Sequence, residues 1–366
     1  MRFLQCSDIH LNMIPDPDFP WGKDRADAIR STFRRCVEKA GEISADCLLL
    51  PGNLFHHPPL SHDLQELNQL FQQIPRTRVI LISGSEDRVT ENSALLSFDW
   101  AENVHWLSES DARLYFDEIN AEFTGITGTP DTLREQLAAA EAAAQTPADA
   151  SHDPIRVLLF CDSSRQSTPA IAAFRDLPFD YIALGGFHQP AEYRELPLLG
   201  AGSPEPLGAM DEGVHGVYIG DISAITHRLQ RLEFCPMATL SYRTLSALLR
   251  PDSEPEKLLQ ELAAQIEKLG REDIYTLRLS GSCPLELAPL LGEGLRRFRI
   301  LDILDETESG YDFEALYREH PTDLIGYYIR SFLRKDESPE TLSLTERQAL
   351  DYGIRALLQT EKEENA

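Results

Sequence analysis

Five times in the first two hundred residues, a short apolar run stops abruptly at small, polar or charged residues. The runs are Phe3-Leu4-Gln5-Cys6-Ser7-Asp8-Ile9-His10, Cys47-Leu48-Leu49-Leu50-Pro51-Gly52-Asn53, Val79-Ile80-Leu81-Ile82-Ser83-Gly84-Ser85-Glu86-Asp87, Val157-Leu158-Leu159-Phe160-Cys161-Asp162 and Tyr181-Ile182-Ala183-Leu184-Gly185-Gly186-Phe187-His188. Apolar runs that do not alternate predict strands buried on both faces. Between the first two, Ile29, Phe33, Val37 and Ala40 recur at helical spacing, with Arg25, Arg30, Arg34, Arg35 and Lys39 mostly on the polar side. Sheets of this kind place their sites at the carboxyl ends of strands. The five polar endings are therefore expected to converge on one crevice.

Leu137–Ala144 predicts an exposed helix running into a surface loop at 145–154, followed by strands near 197–201, 214–220 and 226–234. The texture changes after about residue 236. Strands at Thr239–Leu245, Ile274–Ser280 and Phe298–Leu304 alternate with helices near Glu256–Leu269 and Leu285–Arg297, a small βαβαβ-like unit. The end is helical. Leu324, Ile325, Tyr328, Ile329, Phe332 and Leu333 make one apolar stripe. A last helix is expected to open on a Thr345-x-x-Gln348 capping box and to bury Leu350, Ile354, Leu357 and Leu358.

Composition narrows the function. The chain has 366 residues, 42% hydrophobic, enough for one large core and a smaller domain. Its start reads as a first strand rather than a signal peptide, and no run is long enough to span a bilayer. Six scattered cysteines without a Cys-x-x-Cys pair are expected to be reduced thiols in a cytoplasm. The formal charge of −26 matters most, because phosphate contacts made by basic residues supply most of the affinity for DNA. Residues 1–226 hold 16 Lys/Arg against 34 Asp/Glu, and residues 227–366 hold 18 against 26. Tight DNA binding by this chain alone is disfavoured, so DNA is expected only through a complex whose partner supplies the cationic surface.

The strongest chemical signal is Asp8-Ile9-His10, where alternate residues leaving a strand can turn a carboxylate and an imidazole toward one cation. A turn aspartate beside a surface histidine gives the same pattern, so the pair decides nothing alone. More specific is the order of motifs: Ser7-Asp8-Ile9-His10-Leu11, Gly22-Lys23-Asp24-Arg25, Gly52-Asn53-Leu54-Phe55-His56-His57, Gly84-Ser85-Glu86-Asp87, Gly185-Gly186-Phe187-His188, Gly202-Ser203-Pro204-Glu205-Pro206-Leu207 and Asp211-Glu212-Gly213-Val214-His215-Gly216-Val217. In this order and over most of its length the chain resembles the SbcD-like DNA repair exonucleases of the calcineurin-like metallophosphoesterase superfamily. The resemblance implies an α/β sandwich of two packed β-sheets flanked by helices over residues 1–235. A small α/β capping domain over 236–311 and a helical C-terminal tail over 312–366 should follow. It also implies a phosphodiesterase centre of two divalent cations bridged by an aspartate, with a histidine assisting the leaving group.

Carried over position by position, the resemblance implies a first metal site at Asp8, His10 and His188. Asn53 stands where the bridging Asp belongs, and His56 where that motif's second Asp belongs. Ser85, Cys161 and Gly186 stand where the second site's own ligands belong, and Glu86 replaces the catalytic His. Two neighbouring dications repel unless anionic oxygen bridges them, and an asparagine offers a dipole without charge. The implied protein is a non-nucleolytic structural or regulatory subunit beside an SbcC-like coiled-coil ATPase, with one divalent metal (Mn or Mg) or none, and the resemblance also admits a homodimer. Glu86 and Asp162 leave open a rebuilt second site, hence an active phosphoesterase, and the crevice could also hold a small phosphate ester. His56-His57, running into Pro58-Pro59, reads as an ordinary polar loop; His62, His105, His152 and His215 carry no assignment.

Overall fold

The computed structural model describes all residues except 91–92, 109–111, 145–152, 165–170, 194, 251–252, 283–286, 309, 334–340 and 365–366. The chain divides into two units, Met1–Tyr242 and Arg243–Ala366. In chain order the first holds β1 (Arg2–Gln5), α1 (Gly22–Glu42), β2 (Cys47–Pro51), α2 (Ser61–Phe71), β3 (Arg78–Ile82), α3 (Ala94–Ser97), β4 (Val104–Leu107), β5 (Arg113–Phe116), β6 (Ala121–Gly128), α4 (Leu133–Ala144), β7 (Ile155–Asp162), β8 (Tyr181–Gly185), β9 (Ala191–Tyr193), β10 (Leu198–Gly200), β11 (Gly216–Ile222) and β12 (Leu229–Pro236).

These strands form two six-stranded sheets, ordered β12-β11-β1-β2-β3-β4 and β5-β6-β7-β8-β10-β9. In the first sheet β1 to β4 are parallel and β11 and β12 join antiparallel on one side, whereas in the second a parallel middle is flanked by antiparallel β5 and β9. The unbroken apolar runs follow from burial on both faces. Phe3, Cys47, Leu49, Ile80 and Ile82 pack in one cluster with Ile155, Val157, Leu159, Tyr181 and Ala183 of the second sheet. The residues between them, Leu4, Leu48, Leu50, Val79 and Leu81, pack with Ile29, Phe33 and Val37 of α1 and Leu64, Leu67 and Phe71 of α2. Leu158, Phe160, Ile182 and Leu184 turn the other way, toward Leu133 and Leu137 of α4. Polar links cross the inter-sheet layer: buried Tyr181 donates its hydroxyl to Gln5, whose amide donates to the Leu199 carbonyl at 3.0 Å, and Tyr218 donates to Glu192 at 3.1 Å.

The two sheets approach tightly at the carboxyl ends of β2 and β8. A Cβ on Gly185 would sit 1.7 Å from the Pro51 carbonyl oxygen, so only glycine permits this approach. Beside it, the loops after β2 and β8 both hydrogen-bond to Asp8 in the loop after β1, where polar run ends gather.

From the division onward come β13 (Tyr242–Leu249), α5 (Pro255–Leu269), β14 (Ile274–Gly281), α6 (Ala288–Gly294), β15 (Arg299–Asp305), α7 (Phe313–Glu319), α8 (Leu324–Phe332) and α9 (Leu344–Glu364). The last sheet has the order β13-β14-β15, and its residues share a core with Leu262 and Ile266 of α5. A separate core joins Phe313, Ile325, Ile329, Leu350 and Ile354. The capping box of α9 lies two residues before the expected one. Ser343 Oγ accepts from the Glu346 N–H, and the Glu346 carboxylate accepts from the Ser343 N–H at 2.9 Å. The earlier pair prevails because a hydroxyl and a carboxylate satisfy each other's orphan N–H groups. Among the described residues no helix is long and apolar enough to cross a membrane. Cys6, Cys36, Cys47, Cys161 and Cys235 are free thiols, whereas Cys283 and His152 lie outside the described residues.

Candidate metal centre

Backbone pairing continues past the ends of β1 and β2 and zips their loops together. The N–H groups of Asp8, His10 and Leu11 donate to the carbonyls of Gly52, Asn53 and Leu54, and the His56 N–H donates back to Leu11. Asp8, His10 and Asn53 all have left-handed backbones, with φ of 51°, 50° and 52°. Strained non-glycine positions gather where the surrounding structure imposes them, often at functional sites. Here they turn three side chains into the crevice. Asp8, His10 and His188 form, among the described residues, the one group of metal-capable side chains whose ligand atoms lie within 4.8 Å of one another.

Each has a distinct environment. Asp8 is wholly buried; it accepts from the Gly186 N–H at 3.1 Å on each oxygen and from Asn53 Nδ2 at 2.8 Å. Burial raises its pKa, against the pull of His188 and of these hydrogen bonds. His10 Nδ1 lies 3.1 Å from His56 Nδ1. His10 Nε2, 4.0 Å from Asp8, is buried without a hydrogen-bond partner. His188 Nδ1 is held by both Asp211 oxygens, at 3.1 and 3.2 Å, which leaves Nε2 as its ligand atom. A carboxylate behind an imidazole is a common support for a metal-binding histidine. One buried carboxylate, one orphaned imidazole nitrogen and one carboxylate-backed imidazole fit a divalent cation.

Protonation follows from burial and neighbours. Burial, then the like charges of His188 and His56, press His10 down to about 3, so its imidazole is neutral at ordinary pH. Burial alone would lower His188 too, but the hydrogen bond and charge of Asp211 and the charge of Asp8 outweigh it and raise His188 above 6.5. These shifts act oppositely on stability. Below the unfolded value of 6.5, an unfolded chain protonates His10 while the folded site refuses the proton down to about pH 3. The stability due to His10 is therefore complete above that unfolded value and drains as pH falls toward the folded one. The urea midpoint of wild type is expected to fall relative to that of His10→Gln between about pH 7.5 and about pH 5; the His188 contribution, shared by both proteins, cancels in this difference.

A sequence model of the family described as calcineurin-like phosphoesterase matches residues 1–190, just over half of the chain. The chain belongs to this family. Calcineurin-like phosphoesterases are metallophosphoesterases that typically bind divalent metals, and Asp8, His10 and His188 are this chain's candidate ligands for one. A curated relative is the DNA double-strand break repair protein Mre11 of Methanopyrus kandleri, 24% identical over 363 residues, covering 87% of this chain and 76% of that protein. Among solved structures, calcineurin-like phosphoesterase YfkN from Bacillus subtilis shares 11% identity over 64% of this chain and 90% of that one, with a TM-score of 0.34, too loose a likeness to add to the family match.

Within this calcineurin-like phosphoesterase the residues that the sequence resemblance set at a second metal site are held by hydrogen bonds and packing. Asn53 Oδ1 accepts from the Glu86 N–H at 3.2 Å while Nδ2 donates to Asp8, so the amide joins two loops by hydrogen bonds. Gly186 has φ of +91°, and a Cβ there would lie 2.3 Å from the Asp162 carbonyl oxygen. Cys161 packs its buried Sγ against Gly52, and burial followed by the charges of Asp8, Asp87 and Asp162 lifts its thiol far above the ordinary range. Without a cation it is a packed S–H. Ser85 donates its hydroxyl to Glu86 at 3.3 Å.

Several residues here escaped sequence reading. His56 was placed in an ordinary polar loop, yet the zipped loops press it on His10. Asp211 lies 23 residues beyond His188 and supports it. Asp87, buried, accepts from the Gly84 and Phe55 N–H groups at 2.6 and 3.1 Å and so ties the loop after β3 to that after β2. His215, also buried, sits 2.9 Å from the carbonyl oxygens of both Ser203 and Asp211, fixing the turn that carries Asp211. The Asp-x-x-x-His spacing of 211 and 215 was the available signal for the last two.

Proposed function

We propose that this chain is a non-nucleolytic member of the SbcD-like group, a structural or regulatory subunit working beside an SbcC-like coiled-coil ATPase in DNA-end processing. The observation that carries the reading is the wiring of Asn53. A bridging residue must offer anionic oxygen to two cations at once. Asn53 presents an N–H to Asp8, and its one oxygen is already engaged by the Glu86 N–H. Carboxylates only accept and backbone N–H groups only donate, so this amide orientation follows from its partners. Nothing at position 53 then offsets the repulsion of two dications. Asp8, His10 and His188 would hold one divalent metal, which polarises a phosphoryl oxygen when bound. The chain's own groups would orient a phosphate ester without supplying the second cation or the leaving-group histidine.

The relative's name places that protein in double-strand break repair, which supports the same setting for this chain. The charge of −26 supports DNA contact through a complex, in the cytoplasm, rather than by this chain alone. Residues 236–311 would form the capping domain, and 312–366 the helical tail that docks the ATPase. A second reading, a phosphoesterase with a rebuilt site, has one observation in its favour: the buried Asp162 Oδ2 has no hydrogen-bond partner.

Mn²⁺ titration calorimetry, paired with digestion of linear duplex DNA, tests the choice. One Mn²⁺ per chain, abolished by Asp8→Ala, with intact DNA is expected. Two Mn²⁺ per chain with cleavage that Asp8→Ala removes would overturn it in favour of the rebuilt site. Affinity capture from the native host should recover a coiled-coil ATPase; capture without one would count against the subunit role.

A further inference from the structure

We infer that His56 is a positioning residue for the residual metal site: it sets the tautomer of His10 and, because it is neutral, keeps the site's cation affinity low. The inference rests on the reading of Asp8, His10 and His188 as a cation site. The key contact is His10 Nδ1 to His56 Nδ1, 3.1 Å apart. Two imidazole nitrogens at that distance share one proton, since two lone pairs or two N–H groups would repel. If His10 carries it, His10 Nε2 is a lone pair, the form a cation requires. If His56 carries it, His10 must hold its proton on Nε2, and the ligand position is blocked. His10 Nε2 is buried, lacks a hydrogen-bond partner and lies 4.0 Å from Asp8, beyond hydrogen-bonding range. An N–H there would go unsatisfied, whereas a lone pair there is ready for a cation. The first arrangement is therefore favoured, with His56 as acceptor.

Both histidines sit on backbone that cannot easily part, because the two loops are zipped through Asn53, Leu54 and Leu11. His188 provides the internal contrast: its Nδ1 is backed by the anionic Asp211. A carboxylate behind an imidazole makes the ligand nitrogen more basic and adds negative charge near the metal, and losing such support costs roughly 10–100-fold in affinity. His10 has a neutral acceptor in that place.

The test exploits geometry. His Nδ1 and an Asp or Asn δ atom are both bonded to Cγ, so His56→Asp and His56→Asn place an oxygen where the nitrogen was. Long-range ¹⁵N–¹H spectra of the metal-free protein, assigned with His10→Gln, are expected to show His10 protonated on Nδ1. In Mn²⁺ titrations His56→Asn should bind like wild type, His56→Asp should bind roughly 10–100-fold tighter, and His56→Ala about tenfold weaker. Melting temperatures without Mn²⁺ verify that each variant folds. His10 protonated on Nε2, or three variants within about twofold of wild type while Asp8→Ala abolishes binding, would overturn the role of His56 and leave the cation site standing. No Mn²⁺ binding by wild type, or binding that survives Asp8→Ala, would overturn both.

Discussion

Asn53→Asp is expected to destabilise the metal-free protein sharply at pH 8, to recover as pH falls to 5 or as Mn²⁺ is added, and still to leave DNA uncut. Asn53 now gives Asp8 an N–H at 2.8 Å inside a wholly buried site. An aspartate at 53 would replace that donor with a second anion against Asp8, whose pKa burial already raises. Leaving a buried charge without its partner costs on the order of 3–5 kcal/mol. One proton shared between the carboxylates would remove most of that cost, since the protonated one can again donate to Asp8. Folding would raise the pKa at which the pair loses its last, shared proton above the value of about 3.9 of the unfolded carboxyls. Across that window the fold binds more protons than the unfolded chain, so stability is present at low pH and lost as pH rises.

A cation should substitute for the proton, so Mn²⁺ is expected to raise the melting temperature of Asn53→Asp more than that of wild type. On the proposed non-nucleolytic reading, DNA should stay intact in this variant, because Ser85, Cys161 and Gly186 are unchanged and position 186 has no room for a side chain. Thermal melts from pH 5 to 8, with and without Mn²⁺, check the first part, and a duplex-DNA digest the second. Wild-type stability at pH 8 in the absence of metal would show that Asn53 is not the hydrogen-bonded bridge described above.

What could be read from the chain depended on how local the cause was. Buried strands were legible because burial on both faces leaves few polar positions: Leu48, Leu49 and Leu50 face opposite cores yet are all apolar. The Asp8-x-His10 pair was legible because one strand end sets both residues. The crevice was legible as a meeting of run ends. Its wiring was not, since it depends on which loops touch. His56 meets His10 through backbone pairing that has no signature in side-chain type. Arg25 shows the same limit: its place in the helical pattern put it mostly on the polar side, and it is instead wholly buried. Its partner lies 180 residues away. The motifs around Arg25 and Glu205 could be recognised as a pair in an ordered series, but nothing local says that they touch.

That contact carries the second large effect: Glu205→Ala is expected to cost about 3–5 kcal/mol, the loss typical of a buried ion pair deprived of one member. Arg25 Nη1 donates to Glu205 at 2.8 Å with both side chains essentially buried. The same carboxylate accepts from Thr32 Oγ1, from the Thr239 N–H and from Thr239 Oγ1, so truncation strands several donors at once. Arg25 would keep only the Pro206 carbonyl and the face of Tyr242, which do not neutralise a buried guanidinium. The paired change Arg25→Met with Glu205→Leu should be milder than Glu205→Ala, because it removes the desolvated charges together. The three tryptophans, Trp21, Trp100 and Trp106, all lie in the first unit, so urea unfolding followed by their fluorescence reads the relevant part of the chain. The loss should also reach the metal centre. Glu205 sits on the segment that carries Ser203, whose N–H holds the His188 carbonyl, and Leu207, whose N–H holds Asp211. Loosening that segment is expected to weaken Mn²⁺ binding at a distance from every ligand. Full stability with unchanged Mn²⁺ affinity in Glu205→Ala would mean that the ion pair neither supports the fold nor holds the His188–Asp211 support in place.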